Sequence, residues 1–399
     1  MENSRINFNI SQFFLEYCNC TGCKFEEVCR YIFFYAAVIL NANGTGKFHK
    51  DRMMIHNPTI IDIARELGIS KSTVSRALAG SPDVKQETKE VVLKMAEKMH
   101  YRPNYMARNL TKHRTRIIGV VVPEFINSFF SRIIIQIQNI FESGGYRVLI
   151  TQCNESWEAE RRNLQLLEEN MVEGILISMT EKGKNTDYYN KLINSGIPLV
   201  FFNRADRTVD APRVTIDDYK WAFFATEHLI EVRRRFGNPQ PRIMHLKGAE
   251  GIAQSTRRYV AYADALAKHR IPFDGQLVVS TNEITKQEGF RLVEKLVAQG
   301  NVPDGIFCFN DHLAIGAMKA LQHYGIEIPG RVSVMGFSES QSALITTPAL
   351  SSVAQPLEQM GETAARMLLE KIENPGAEVR QVVLDAVLNI RGSSDPEKQ

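Results

Sequence analysis

The stretch GISKSTVSRALAG (residues 68–80) crowds Ser70, Lys71, Ser72, Thr73, Ser75 and Arg76 onto a segment whose other residues are small or apolar. Lysine and arginine only donate hydrogen bonds, arginine through a planar fork, so this set suits a partner rich in acceptors and negative charge. A second set is scattered. It comprises Phe129 and Phe130 in PEFINSFF, Asn203 and Arg204 in FFNR, Arg258 in STRRYVAY, Asn310 and Asp311 in FCFND, and Ser338 and Glu339 in MGFSES. Aromatic faces with a few hydrogen-bonding groups suit a small polar ligand that has one apolar side. Structural alternatives stand beside these readings: Phe129 and Phe130 as ordinary core, Asp311 as the N-cap of a helix over 312–323, and Arg258 paired with a nearby acid.

The first set requires a helix to carry it. In PTIIDIARELG (58–68) the residues Ile60, Ile63, Ala64 and Leu67 recur at i, i+3, i+4 and i+7, and Gly68 ends the pattern. Ser70 is a good N-cap for a second helix, with Val74, Ala77 and Leu78 on one face and Lys71, Ser72, Ser75 and Arg76 on the other. A third segment, VVLKMAEKMHY, offers Val92, Met95, Ala96 and Met99 to the same core. Two helices joined by a tight Gly-containing turn and closed by a third predict a helix-turn-helix domain. Small residues let such a helix enter the major groove, while Lys71, Ser72 and Arg76 reach base edges and phosphates. The alternative is a plain three-helix bundle with a solvated polar face. Residues 58–116 hold 12 Lys/Arg against 6 Asp/Glu, a local +6 in a chain of net +3, so the remainder carries −3. Positive charge concentrated there fits an anionic partner. Pro103 then breaks the third helix ahead of a short helix-capable stretch from Asn104 to Leu110.

The second set sits at the ends of strands. Apolar runs at 117–122, 146–151, 174–178, 198–202, 242–246, 305–309 and 332–337 alternate with helical patterns. Continuous strands separated by helices predict parallel sheets covered on both faces, and their number predicts two sheets. Ligands of such folds bind beyond the carboxyl ends of the strands, where these residues fall.

TIIDIARELGISKSTVSRALAG, VKQETKEVV and YRPNYMARNL resemble, in order and spacing, the headpiece and hinge of LacI/GalR-family transcription regulators. The resemblance continues to about residue 392. It implies an N-terminal three-helix helix-turn-helix domain with a hinge helix, then an α/β periplasmic-binding-protein-like (type I) domain of two parallel-sheet subdomains. The boundaries expected are 1–57 for an extension, 58–102 for the helix-turn-helix domain, 103–116 for the hinge, 117–392 for the effector-binding and dimerisation domain, and 393–399 for a tail. Carried over by resemblance, Lys71, Ser72 and Arg76 read bases, Arg76 reading guanine, and Thr73 and Ser75 contact phosphates. Thr59, Ser70 and Asn104 complete the DNA-facing set. Ala107 and Leu110 enter the minor groove, the leucine as a wedge between base pairs, and Arg108 supports them or points to solvent. The resemblance implies a pseudo-palindromic double-stranded operator, a carbohydrate-like effector at the second set of residues, and a homodimer or tetramer in the cytoplasm, associated with the nucleoid. It implies no cofactor. Departures are visible: Lys85 replaces the usual Ser or Thr ahead of the third helix, Ser338 stands where the family has an aspartate, and EVRRRFGNPQPRI (231–243) replaces a Gly-His-Arg connection. Its triple arginine is expected to be a solvated loop.

Other functions fit less well. GFSES lacks the second glycine of a nucleophile elbow, and no histidine follows His323, so catalysis is not expected. GTGK (44–47) lacks the first glycine and the Ser/Thr of a phosphate-binding loop. A free solute-binding protein, the alternative built on the same α/β domain, would need an export signal and no functional headpiece. Cys18, Cys20, Cys23 and Cys29 lack the distant second pair of a zinc site, and Cys153 and Cys308 form no disulfide framework. The apolar run 28–40 contains Arg30 and is shorter than the ~20 residues a membrane span needs. Met53 and Met54 precede the headpiece, and translation is expected to start at one of them, which would make residues 1–52 a reading-frame artefact or a disordered appendage.

Overall fold

A glycine turn and a capped helix organise the smaller part of the molecule. The computed structural model describes residues 58–101, 114–125, 128–281 and 283–398. The expected hinge contacts Asn104, Ala107, Arg108 and Leu110, and the extension 1–57, lie outside them. Two compact units meet at the Arg102–Pro103 bond. In the first, α1 (Ile60–Leu67), α2 (Lys71–Leu78) and α3 (Gln86–Lys98) bury Ile63, Ala64, Val74, Ala77, Val92 and Ala96 together. Gly68 takes a left-handed φ of 64°, which lets α1 turn directly into α2. Ser70 accepts the Thr73 N–H at 3.1 Å and so caps α2. Lys85 occupies the N-cap of α3 with no side-chain cap bond, since its ammonium group cannot accept the N–H that a Ser or Thr oxygen would.

The second unit is built on two six-stranded sheets. One has the order β11-β5-β4-β3-β1-β2, from β1 (Ile117–Val122), β2 (Arg147–Gln152), β3 (Gly174–Ile177), β4 (Leu199–Phe202), β5 (Arg213–Ile216) and β11 (Gln381–Leu384). All its pairs are parallel, with Val120 in register between Ile150 and Leu176. The other has the order β12-β10-β9-β8-β6-β7, from β6 (Ile243–Lys247), β7 (Val278–Ser280), β8 (Gly305–Cys308), β9 (Ser333–Ser338), β10 (Ser351–Ala354) and β12 (Val387–Asn389), and only β12 runs antiparallel. On the first sheet lie α4 (Ser128–Ser143), α5 (Trp157–Glu169), α6 (Thr186–Asn194) and α12 (Leu357–Glu373). The second sheet carries α7 (Asp218–Arg235), α8 (Ala253–Lys268), α9 (Lys286–Ala298) and α10 (Asp311–His323), with the short α11 (Gln341–Leu344) against α10. Both faces are therefore covered, as near-continuous apolar strands require. The chain crosses between the sheets three times: at Asp217, at Gln355–Pro356 and at Asp385–Ala386.

Two expectations are corrected. The triple arginine is no solvated loop, because it forms the last turn of α7, where cations complement the helix dipole. Arg233 donates to the Pro329 and Gly330 carbonyls, Arg234 to Pro239 and His269, and Arg235 pairs with Asp395 and Glu397. Nor do residues 393–395 behave as a tail. Ser393, Ser394 and Asp395 are buried, and the Ser393 carbonyl accepts the Val334 N–H of β9 at 2.7 Å.

His245 lies fully buried on β6, stacked between Phe307 and Tyr262 with centroids 4.9 and 5.2 Å away. Its Nδ1 donates to the Phe307 carbonyl at 3.0 Å. Burial pushes its pKa down from 6.5 to about 4. The unfolded chain therefore takes up a proton between those values that the folded chain refuses, so stability is full above pH 6.5 and lost as pH falls toward 4. The loss through this one group reaches roughly 3 kcal/mol. Melting curves of His245→Phe across this range are expected to fall less steeply than those of the parent; identical slopes would refute the assignment.

Candidate functional site

Donor chemistry in the first unit is displayed on one side of α2. With Val74 and Ala77 turned into the core, Lys71, Ser72, Ser75 and Arg76 are left exposed. Thr73 is half-buried, and Ser70 Oγ lies 2.7 Å from Ser72 Oγ and 2.8 Å from Thr73 Oγ1. Thr59 heads α1 exposed, both its N–H and its hydroxyl donating to Asp62. No ion pair joins Lys71 or Arg76 to a carboxylate among the described residues. Their charge is thus available at the surface.

In the second unit a cleft opens beyond the carboxyl ends of β1, β4, β8 and β9. The space between its walls, counted together with the solvent at its open side, is about 640 Å³. Eight of the nine predicted residues line it: Phe129, Phe130, Asn203, Arg204, Arg258, Asn310, Ser338 and Glu339. Phe130 is also core, packed edge-on against Phe202 at 6.4 Å. Asn203, Ser338 and Glu339 have φ of 58°, 122° and 53°, conformations that cost energy in non-glycine residues and gather at functional sites.

Asp311 is the exception. Asn310 is the N-cap of α10, accepting the Leu313 N–H at 2.9 Å, and Asp311 turns beneath the cleft wall instead. Its carboxylate accepts the Ser340 N–H at 2.5 Å and the Ser352 hydroxyl at 2.6 Å. Burial pushes its pKa up. A Cβ at residue 336 would stand 2.3 Å from Asp311 Oδ1, so Gly336 makes room for the carboxylate. Asp311 therefore supports the Ser338–Ser340 turn without meeting the cleft.

Arg258 is both a cleft-lining residue and the partner of a buried acid. It lines the cleft, and its Nε and Nη2 donate to Asp218 Oδ1 at 3.0 and 2.6 Å. Nη1 donates to the Phe309 carbonyl, while the Phe337 and Phe309 rings lie 3.6 and 4.7 Å from the guanidinium carbon. Burial pushes the Arg258 pKa down, against the pull of Asp218. Gln254, Phe309, His312 and Gln355 also line the cleft and escape the sequence reading. Gln254 stands one helical turn before Arg258, and that i, i+4 spacing on α8 is the signal that could have found it. Gln355 follows β10, whose polar sequence SSVA gives no strand signal.

Residues 59–104 match the profile of bacterial regulatory proteins of the lacI family, and residues 240–394 that of the periplasmic binding protein-like domain. The HTH-type transcriptional regulator AscG of Escherichia coli is 33% identical over 305 residues, covering 76% of this chain and 88% of AscG. This chain belongs to the LacI family. A solved complex of the transcriptional regulator CelR with cellobiose is 26% identical, with a TM-score of 0.63 over 84% of this chain and 99% of CelR. The lac repressor dimer bound to operator and an anti-inducer has a TM-score of 0.72 over 85% of this chain and 99% of its own, at 22% identity, and so attests the fold. Like its relatives in the LacI family, the protein is a DNA-binding transcription regulator. Among the described residues no helix is long and apolar enough to cross a membrane.

Arg258 and Asp218 are 4% and 5% exposed, so removing one partner strands a charge away from water. Asp218→Ala is expected to cost about 3–5 kcal/mol, read from the midpoint of urea unfolding. A loss below about 1 kcal/mol, the scale of exposed pairs, would show that the pair does not hold the cleft floor.

Proposed function

We propose that this regulator binds a pseudo-palindromic operator as a homodimer and represses transcription, with a small carbohydrate-type effector in the cleft setting its operator affinity. The observation that carries the DNA reading is the exposed donor face of the capped helix α2. Arg76 can address guanine with two parallel hydrogen bonds, Lys71 and Ser72 neighbouring bases, and Thr73, Ser75, Thr59 and Ser70 the phosphates. Asn104, Ala107, Arg108 and Leu110 join this assignment as minor-groove and backbone contacts through the resemblance alone. A two-fold dimer would present two copies of α2 to two half-sites.

The effector reading draws on the cleft's mixture of aromatic faces and amide, hydroxyl and guanidinium groups at Phe129, Phe130, Asn203, Arg204, Arg258, Asn310, Ser338 and Glu339. It also draws on the relatives: CelR is described with cellobiose, and the lac repressor as a dimer on operator. Effector and operator then change one another's affinity by the same factor. None of these roles calls for bond-making chemistry, and we read the protein as a non-enzymatic regulator acting in the cytoplasm.

Arg76→Ala is expected to relax discrimination at one operator position by about 1–3 kcal/mol, measured as binding to the operator and to each single-base variant. Equal weakening across all variants would reassign Arg76 to a phosphate.

A further inference from the structure

Three arginines outside the cleft meet no carboxylate. Arg213 heads β5 and is 7% exposed. Its Nη2 reaches the Val209 carbonyl at 3.4 Å, and its Nε is buried without a hydrogen-bond partner. A permanent charge kept so far from water calls for an anion or several oxygens around it, and one long bond supplies little of that. Arg207 stands exposed two residues before Val209, and Arg257 is half-buried on the second turn of α8. None of the three forms an ion pair among the described residues.

The fold brings them to one place. The loop between β4 and β5 carries Arg207 and Val209, and Val209 is buried in a cluster against which Ala205 of that loop and Ala253 of α8 both pack. Arg257 follows Ala253 by one helical turn, so it lies on the face of α8 turned toward the loop. The Arg213 fork meets the same loop at Val209. Gln254 and Arg258, one step round α8, face the cleft instead, and none of the three arginines lines it. The surrounding protein, then the charges of Arg257 and Arg213, push the Arg207 pKa down against the pull of Asp217 and Asp218. Those two acids are engaged: Asp217 accepts the Lys220 N–H at 3.1 Å as the cap of α7, and Asp218 takes Arg258. On the loop itself, Asp206 accepts from Thr186 and Thr208, and Asp210 lines a separate hollow at the amino ends of β3 and β4.

We propose that Arg207, Arg213 and Arg257 form a seat for a phosphate-type dianion, separate from the effector cleft and independent of the reading given to it. Phosphate fits because it presents several acceptor oxygens and two charges to forks that each offer parallel donors. A carboxylate has two oxygens and one charge, and chloride has no geometry to match. Arg207 and Arg213 belong to the first sheet and its loop, Arg257 to a helix of the second. An anion among them therefore bonds both halves of the unit at once, where like charges otherwise face one another.

Calorimetric titration of the full chain tests the seat at about pH 7.5, where phosphate is largely a dianion. The probes are inorganic phosphate, glycerol 3-phosphate and acetate, at an ionic strength held constant with chloride. Phosphate is expected to saturate a single site, with acetate at least about tenfold weaker. Glycerol 3-phosphate binding more tightly than phosphate assigns the seat to a phosphorylated small molecule, and weaker binding assigns it to the free ion. Arg207→Gln and Arg257→Gln should each lower phosphate affinity by about 10- to 150-fold, while Arg76→Ala leaves it unchanged. Both variants avoid the buried Arg213, whose replacement puts folding at risk. In phosphate-free buffer they should melt no lower than the parent, since each removes a like-charge neighbour; added phosphate should raise the melting temperature of the parent and not theirs. Unchanged phosphate affinity in both variants, or acetate binding as tightly as phosphate, overturns the seat. A loss in Arg76→Ala alone puts the anion on the headpiece and overturns it as well.

Discussion

A guanidinium kept out of water dictates much of the larger unit. Arg258 brings a permanent positive charge to a place that is 4% exposed, and such a charge is tolerated only where a carboxylate and carbonyl oxygens surround it. Asp218 supplies the first from the start of α7, and Phe309 the second from the end of β8. The faces of Phe337 and Phe309 occupy the space that water would otherwise take. One side chain thereby ties α8 to α7, to the end of β8 and to β9. The rest of the cleft is shaped around that knot.

Asp311 performs a comparable task on the same sheet, behind the turn that follows β9. The turn after β9 runs through two non-glycine residues at positive φ, Ser338 and Glu339. It is held there because Asp311 accepts the Ser340 N–H, the Ser352 hydroxyl oxygen accepts the Glu339 N–H at 3.0 Å, and the Glu339 carboxylate is drawn toward Asn389 and Arg391. Buried acids and bases thus serve as scaffolding for the turn and for the cleft wall.

Much of this was legible in the sequence. All seven predicted strands form, within about a residue at either end, because fully buried parallel strands leave unbroken apolar runs such as IIGVVV. The five runs that escaped are short or begin with polar residues: RVTI in β5 begins with an arginine, SSVA in β10 with two serines, QVVL in β11 with a glutamine, and β7 and β12 have three residues each. Cleft-lining residues at the ends of legible strands were anticipated, while Gln355 beyond β10 was not. Asp311 was misplaced by one residue, since either Asn310 or Asp311 could cap α10 and only three-dimensional packing shows which turns inward. The arginines at 233–235 were misread because their partners, Pro329, Pro239 and Asp395 among them, come from distant segments or from a bend that no helical pattern reveals. Pairing across such separations leaves no local periodicity to detect.

The three crossings between the sheets have a mechanical meaning. Two bodies joined by one strand can swivel freely; joined by three, at Asp217, Gln355–Pro356 and Asp385–Ala386, they keep few relative motions beyond bending about those straps. Gln355 lines the cleft and is itself part of one strap, and Asp218, next to another, is gripped by Arg258. Gln355 thus belongs to a wall of the cleft and to a strap between the sheets, so the shape of the space and the course of the crossing are set together.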